Sequence, residues 1–253
     1  FENNWIDAEI RNGKDSGAYS HPCVPDIHPY ILMNYNGKSR DVMTLAHELG
    51  HGVHQVLASK NGYLLADTPL TLAETASVFG EMLVFQKLLS KADSKQEKNS
   101  MIAEKVEDML NTVVRQIAFH NFETSFHNKR KSNELTPDEI SEIWMETQSQ
   151  ALGDAINLDD SYKPLWSYIP HFVHAPFYVY AYAFGDCLVN SLWQVRLSGQ
   201  SSFTESYINL LKSGGKKHHR EALAPFGLDA SDPEFWNIGL NTISSLIDEL
   251  EAA

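Results

Sequence analysis

The chain has 253 residues, of which 43% are hydrophobic and 21% charged, and a formal net charge of −13. These values are ordinary for a globular protein with a substantial core, in one large domain or two small ones. The negative charge argues against nucleic acid or an anionic membrane surface as a partner. The sequence contains no run of about 18 apolar residues, so we predict no membrane-spanning helix.

Cysteine usage favours a reducing compartment. Cys23 and Cys187 are too few for a disulfide framework, so we expect a cytoplasmic protein in which both are buried small apolar residues. The chain opens at Phe1 without an initiator methionine. We therefore expect it to be a fragment of a longer polypeptide.

The first predicted element is a short strand. Residues 14–40 are rich in Pro, Gly, Ser and Tyr and contain a β-like run over 30–35, which the turn signal Asn36-Gly37 ends. This strand would lie just before the first helix, where it could pair with an extended peptide backbone.

From residue 41 onward the pattern is almost wholly helical. A capping residue beside proline marks the starts at Thr68, Thr136 and Asp232. The segment 95–131 is long for one helix, which leaves a break open, and the basic glycine loop 213–220 is typical of a solvated surface. We see no clear domain boundary. The predicted helices span 41–59, 69–92, 95–131, 136–152, 177–197, 203–213, 217–224 and 233–252.

The most informative motif is His47-Glu48-Leu49-Gly50-His51 on the first predicted helix, for which Asp41 is a candidate N-cap. On a helix, histidines four residues apart lie on one face with a rise of about 6 Å, so both can bind one metal ion while Glu48 lies beside it. This is the pattern of zinc hydrolases. The alternative is a core helix with two partly buried histidines and a solvated glutamate.

Two glycines within this helix favour the metal site. Gly50 and Gly52 each cost about 1 kcal/mol relative to alanine in a helix interior. The expected compensation is close approach of another backbone or of a ligand.

A catalytic zinc ion usually needs a third protein ligand. The best candidate is Glu74 on the next predicted helix, although Thr71-x-x-Glu74 also fits a capping box. Asp67 and Glu81 are rival carboxylates. Ser77 and Glu81 share the face of Glu74 and could hydrogen-bond the ligands.

The remaining histidines of this half of the chain are expected to be structural. His54 lies on the ligand face but about 10 Å beyond His47 along the helix, too far to share one ion at a zinc–nitrogen distance of about 2.0–2.1 Å. His28, His120 and His127 show no partner pattern.

A donor for a developing oxyanion would complete such a site, and residues 169–182 hold the best candidates. We expect Pro176 to start a helix that leaves His171 and His174 on the preceding loop. Tyr178 and Tyr182 would then share a helix face while Tyr180 points elsewhere. The alternative is an aromatic helix buried in the core, although a phenol can be apolar in its body and polar at its hydroxyl.

These parts predict metal-assisted peptide hydrolysis. Zinc lowers the pKa of its water and polarises the scissile carbonyl. Glu48 takes the proton of the water as general base and can return it to the leaving amine.

The motifs together resemble oligoendopeptidase F, in the thimet-oligopeptidase-like family of metallopeptidases. The resemblance rests on His47–His51, on the sequence Glu74-Thr75-Ala76-Ser77 and on His171 with the tyrosine-rich segment, and it runs through essentially the whole chain, including Pro225–Asp229.

The resemblance implies a mainly α, zincin-like multi-helix catalytic domain with a small β-sheet beside the metal-binding helix. Residues 1–253 would be its C-terminal part, without the helical N-terminal half that forms the other channel wall.

The resemblance also implies a function and a site: a zinc endopeptidase for short oligopeptides, with one Zn²⁺ ion. Its ligands would be His47, His51 and Glu74, and Glu48 would be the base. A histidine and tyrosines of 171–182 would contact the substrate and the transition state; we favour His171, Tyr178 and Tyr182, with His174 and Tyr180 as reserves. The alternatives are a non-catalytic zinc- or peptide-binding module and a zinc aminopeptidase.

Overall fold

The structure is a computed structural model that describes residues 1–252. It is mainly helical, with one small three-stranded sheet near the amino terminus, as the sequence predicted. The strands are β1 (Ile6–Asp7), β2 (Tyr19–His21) and β3 (Tyr30–Leu32). No helix in the described range is both long and apolar enough to cross a membrane.

The α-helices are α1 (Ser39–Ala58), α2 (Leu70–Ala73), α3 (Ser77–Leu89), α4 (Lys95–Leu110), α5 (Gln116–Arg130), α6 (Pro137–Leu152), α7 (His171–His174), α8 (Tyr180–Leu197), α9 (Phe203–Ser213), α10 (His219–Leu223) and α11 (Pro233–Glu251). A π-helical turn, Asn111–Arg115, separates α4 from α5, which places the break within 95–131. Short 3₁₀ helices span Ser59–Asn61, Gly153–Ala155, Asp160–Tyr168, Gly214–Lys216 and Ala224–Phe226.

The chain divides into two compact units. The first comprises Phe1–Ala103 and the segment that begins at Gly185, and the second comprises Glu104–Phe184. The sequence showed no boundary at these positions. The assignment of residues 1–253 to one catalytic domain stays a prediction.

In the first unit the sheet has the order β1-β3-β2, with β3 parallel to β1 and antiparallel to β2. The observed β3 is shorter than the predicted run over 30–35. It is also the central strand, so the expectation that it could pair with a further peptide was wrong: both of its edges are already occupied. The open edges belong to β1 and β2.

Helix α1 packs between this sheet and α3. On the sheet side, the Gln55 amide donates to the Ser20 carbonyl over 2.9 Å and accepts from the Ser20 hydroxyl over 2.8 Å. On the α3 side, a Cβ on Gly50 would lie 2.4 Å from the carbonyl oxygen of Ala76. This confirms that Gly50 permits a close backbone approach, since no larger residue fits at that distance.

Helix α1 begins two residues before the predicted start. Its N-cap is Lys38 rather than Asp41. Asp41 lies in the first turn, where its carboxylate accepts from the backbone N–H groups of Asn36 and Lys38 at 2.7 and 3.0 Å. These hydrogen bonds lower the pKa of Asp41. The acidic residue therefore caps the helix from inside, where it also interacts favourably with the helix dipole.

Two further expectations were wrong. The predicted helix 69–92 is interrupted between α2 and α3, at Glu74–Ala76. Cys23 is exposed, in the segment that follows β2, whereas Cys187 is buried as predicted.

In the second unit an aromatic core joins α5, α6 and the segment around α7. Phe119, Phe122 and Trp144 are at most 4% exposed, and the ring of Phe172 lies 5.0 Å from that of Phe122. The indole N–H of Trp144 donates to the Tyr162 carbonyl over 3.0 Å. The core thereby fixes the start of the 171–182 segment through Phe172.

Candidate metal centre

The ligand face of α1 brings His47 and His51 together. Their rings lie one helical turn apart, with the two Nε2 atoms 3.1 Å from each other. The Oε2 atom of Glu74 lies 3.4 Å from Nε2 of His47 and 3.5 Å from Nε2 of His51. Three potential donor atoms therefore form a nearly equilateral triangle, the one group of this kind among the described residues.

The triangle has the dimensions that zinc requires. Tetrahedral ligands at 2.0–2.1 Å from zinc lie about 3.3–3.4 Å apart. The observed edges of 3.1, 3.4 and 3.5 Å match that spacing. Two imidazoles and one carboxylate are also a donor set that catalytic zinc uses, so these residues fit the metal.

The break between α2 and α3 positions Glu74. Its backbone ends α2 instead of beginning a helix, so the capping-box alternative with Thr71 is not what the structure shows. The hydroxyl of Ser77 donates to Glu74 Oε2 over 2.7 Å. The expected hydrogen bond therefore forms, although the two residues lie on either side of the break and not on one helix face.

Gly185 and Tyr207 shape the same turn from far along the chain. A Cβ on Gly185 would lie 2.7 Å from Cβ of Glu74, and the hydroxyl of Tyr207 donates to the Thr75 carbonyl over 2.9 Å. Sequence reasoning missed both. Gly185, a glycine inside a predicted helix, was the available signal.

Glu81 contacts His47 at the ring nitrogen that faces away from the other two donors. Its Oε1 atom lies 2.5 Å from Nδ1 of His47, and a partner there leaves Nε2 for the metal. Burial alone would lower the pKa of His47, but the hydrogen bond and charge of Glu81 outweigh it, and the pKa is raised. For His51, burial dominates and lowers the pKa.

Glu48 is buried beside the donors. It is 5% exposed, and its Oε2 atom has no hydrogen-bond partner among the described residues. Burial raises its pKa to about 7; the charge of His47 opposes the shift, and the carboxylates of Glu74 and Glu81 add to it. A buried carboxyl oxygen without a partner leaves an acceptor for a water or a substrate group.

The rival residues lie outside this group. Asp67 is not among the three donors, and His54 is buried with its Nε2 atom 3.3 Å from the Thr68 hydroxyl. His28 stacks on Trp5 with ring centroids 4.4 Å apart. The predictions that His54 and His28 are packed residues agree with these contacts.

The second unit brings His171, Tyr178 and Tyr182 together. His171 Nε2 lies 3.2 Å from the Tyr182 hydroxyl, and the rings of Tyr178 and Tyr182 lie 5.2 Å apart. His174 is exposed at the end of α7, and Tyr180 has its ring 5.6 Å from that of His120.

The local backbone differs from the prediction. His171 and His174 lie in the short helix α7 rather than in a loop, and α8 begins at Tyr180 rather than after Pro176. Phe177 explains the later start, because its φ of 60° is incompatible with a right-handed helix.

A buried carboxylate holds this backbone. Glu123 is 1% exposed, and its Oε1 atom accepts the N–H of Phe177 over 2.9 Å. Sequence reasoning missed Glu123, since a single glutamate in a long helical pattern carries no signal of its partner.

A mainly helical fold that places two histidines and a glutamate around one point defines a candidate metal-dependent hydrolase. The model of Peptidase family M3 matches residues 1–242, and the chain belongs to this family.

Relatives support the assignment over nearly the whole chain. Oligopeptidase PepF of Bacillus subtilis (strain 168) is 31% identical over 99% of the chain, which covers 38% of that relative. An oligoendopeptidase F homolog of Lactococcus lactis is 29% identical over 99% of the chain, and the chain covers 42% of that relative. The chain thus spans about two fifths of the length of these relatives.

Among solved structures, a putative peptidase from Chlamydophila abortus is 34% identical and has a TM-score of 0.83 over 98% of the chain and 42% of its own. Oligoendopeptidase-F from Enterococcus faecium is 26% identical with a TM-score of 0.71 over 84% of the chain and 39% of its own. These structures share the mainly helical fold.

Proposed function

We propose that residues 1–253 form the catalytic part of a zinc-dependent endopeptidase that hydrolyses peptide bonds in oligopeptides. The observation that carries the proposal is the donor triangle of His47, His51 and Glu74, whose edges fit tetrahedral zinc. Membership of Peptidase family M3 and the oligopeptidase names of the relatives support the reaction and the substrate class.

Each side chain of the site has a role in this reaction. When bound, zinc supplies Lewis-acid chemistry, which acidifies water and polarises a carbonyl. Glu48 accepts the proton of the attacking water at Oε2 and later donates it to the leaving amine. Ser77 and Glu81 hold Glu74 and His47 in their binding orientations.

Stabilisation of the tetrahedral oxyanion is proposed for the second unit. The hydroxyl of Tyr182 and the ring of His171 form a hydrogen-bonded pair beside Tyr178. Phenol and imidazole N–H groups are suitable donors to a developing negative charge. His174 and Tyr180 are proposed as further substrate contacts.

The test compares wild type with Glu48→Gln on an internally quenched fluorescent peptide, with the zinc content of each protein measured in parallel. We expect the substitution to lower kcat about 10²- to 10⁴-fold, the contribution typical of a general base, with zinc still bound. Glu205→Gln, an exposed change of the same kind on α9, is the matched control. Equal turnover of wild type and Glu48→Gln, with zinc in both, would refute the hydrolase mechanism.

Two alternatives have separate readouts. A zinc- or peptide-binding module without catalysis would bind the peptide with no turnover in any variant. An aminopeptidase would need the free amine of its substrate, so it would not cut a peptide with an acetylated amino terminus. We expect cleavage of the acetylated peptide.

A further inference from the structure

One short turn of the first unit contacts two of the three metal donors. It is the break between α2 and α3, Glu74–Ala76, with the residues on either side of it. Glu74 is itself a donor, and the Ser77 hydroxyl donates to its Oε2 atom over 2.7 Å. The backbone of Ala73 hydrogen-bonds the ring of His51. Since Nε2 of that ring faces the other donors, Nδ1 is the nitrogen left for this bond. The turn therefore holds one donor and orients a second.

Tyr207 of α9 binds the middle of this turn. Its hydroxyl donates to the Thr75 carbonyl over 2.9 Å, and Thr75 is 0% exposed. A buried carbonyl that loses its hydrogen-bond partner is unfavourable, so the backbone around it moves towards another partner where it can. The place of the Tyr207 hydroxyl therefore affects where the Thr75 carbonyl lies.

Aromatic packing holds the Tyr207 ring in place. Its centroid lies 4.6 Å from that of Phe79 and 5.8 Å from that of Phe203, and both phenylalanines are buried. Burial also raises the pKa of the Tyr207 hydroxyl above its usual value, so the hydroxyl stays protonated and remains a donor at neutral pH. A hydroxyl at the end of a packed ring is a fixed anchor for the backbone that binds it.

The donor triangle tolerates little displacement of Glu74. Its Oε2 atom lies 3.4 and 3.5 Å from the two histidine nitrogens, which matches ligands at about 2.0–2.1 Å from one zinc ion. Zinc sites keep their ligand distances within about 0.2 Å. Because Thr75 directly follows Glu74 and peptide units are rigid, a movement of the Thr75 carbonyl is passed on to the donor.

We propose that Tyr207 is a positioning residue of the metal centre, whose hydroxyl sets the placement of Glu74 and His51 through the Thr75 carbonyl. The proposal rests on the proposed function, because it takes the three donors to bind zinc. The alternative is that the hydrogen bond stabilises the first unit without affecting the donors. The two differ in what they predict for metal binding by a folded variant that lacks the hydroxyl.

The test compares wild type with Tyr207→Phe, which removes the hydroxyl and keeps the ring. Ser191→Ala is the matched control, since it removes another buried hydroxyl of the first unit. That hydroxyl donates to the Phe235 carbonyl, 44 positions away, over 3.2 Å, and to the Cys187 carbonyl, so neither bond reaches the turn. Three quantities are measured: the urea midpoint of the metal-free protein, the zinc dissociation constant by chelator competition, and the visible spectrum of the cobalt-loaded protein. The cobalt bands depend on the number and geometry of the ligands.

We expect both substitutions to lower the urea midpoint, because each removes a buried hydrogen bond. Only Tyr207→Phe should raise the zinc dissociation constant, by about 10- to 100-fold, and change the cobalt spectrum. Wild-type zinc affinity and an unchanged cobalt spectrum in Tyr207→Phe would overturn the proposal at any urea midpoint. An equal loss of zinc affinity in Ser191→Ala would also overturn it, because the loss would then follow stability and not the position of the turn.

A second variant retains the hydroxyl and gives a readout even if Tyr207→Phe does not fold. Site-specific Tyr207→3-fluorotyrosine should bind zinc with wild-type affinity. Coupling between two sites is reciprocal, so zinc loading should shift its fluorine resonance. Tyr168→3-fluorotyrosine, whose hydroxyl accepts from Arg115 in the second unit, should not shift. A resonance at position 207 that zinc leaves unchanged, or equal shifts at both positions, would overturn the proposal.

Failure of the proposed function has a different signature. A wild-type protein that binds no zinc would refute the proposed function and this proposal with it. Equal zinc affinity of wild type and Tyr207→Phe would refute the role of Tyr207 alone. None of these measurements depends on turnover, which the comparison with Glu48→Gln tests separately.

Discussion

Replacing Gly50 by alanine tests the packing that brings the metal donors together. A Cβ there would lie 2.4 Å from the Ala76 carbonyl oxygen and 2.6 Å from Cα of Ser77. Both are backbone atoms, so no side chain can rotate away. Restoring ordinary contact near 3.4 Å requires α1 and α3 to separate by about 1 Å.

The magnitude combines two opposing effects. Alanine should gain about 1 kcal/mol over glycine in a helix interior. Overpacking of this kind costs about 1–3 kcal/mol, and more where backbone must move. Because both contacts are with backbone atoms, the cost should reach about 3 kcal/mol, and we expect a net loss of about 2 kcal/mol in the free energy of unfolding of the metal-free protein.

The same displacement should weaken zinc binding. Glu74 precedes α3, so a shift of about 1 Å would lengthen its distances of 3.4 and 3.5 Å to the histidine nitrogens beyond tetrahedral spacing. Misplaced metal sites lose about 10- to 100-fold in affinity, and we expect a loss in that range.

Urea titration of chelator-treated protein measures the stability, and competition with a chromogenic chelator measures the zinc affinity. Gly52→Ala is the matched control two residues along the same helix. Its Cβ would meet the terminal methyl of Ile31 at 3.3 Å, a flexible neighbour that need retreat only slightly. This variant should keep wild-type zinc affinity and stability within about 1 kcal/mol. If Gly50→Ala behaves like Gly52→Ala, the close approach does not set the donor geometry.

Three further predictions concern single side chains. Burial raises the pKa of Glu48 from 4.5 in the unfolded chain to about 7 in the folded, metal-free protein, so the folded state keeps the proton to a higher pH. The protein therefore loses up to about 3 kcal/mol of stability as the pH rises between these two values, less the part of the effect that water screens. Urea titrations at several pH values should show that Glu48→Gln lacks this loss, and parallel curves for the two proteins would contradict the shift. Glu81→Gln should weaken zinc binding about 10- to 100-fold in chelator competition, whereas Glu205→Gln should not, because only Glu81 contacts a donor histidine; equal affinities would remove Glu81 from that role. Tyr182→Phe should lower kcat more than it raises KM, with stability within about 1.5 kcal/mol, because it removes a hydroxyl proposed to act on the transition state; a rise in KM alone would make Tyr182 a substrate contact.

The sequence predicted the local parts of the site best. His47 and His51 are four residues apart in a strongly periodic helix, and helical geometry alone places them on one face. Two of the starts marked by proline also match observed caps, at Thr136 and Asp232. In each case the determining residues lie within one turn of one another.

The parts that depend on distant contacts were not predictable in the same way. The apolar pattern continues through residues 69–92, so periodicity gives no sign of the break that positions Glu74. The hydroxyl of Tyr207 hydrogen-bonds the backbone at this break, and the side chain of Glu74 leaves no space for a Cβ at position 185. Similarly, the late start of α8 follows from the backbone at Phe177 and its buried partner Glu123.

The hydrogen bond from Tyr207 to Thr75 joins residues 132 positions apart. During synthesis, all three donor side chains leave the ribosome long before Tyr207 and Gly185 do, so an early intermediate would carry the donors without the packing that fixes Glu74. Contacts of such high sequence separation form late, because the loop-closure entropy must be overcome first. Zinc capture is therefore expected to follow the assembly of the first unit rather than to nucleate it.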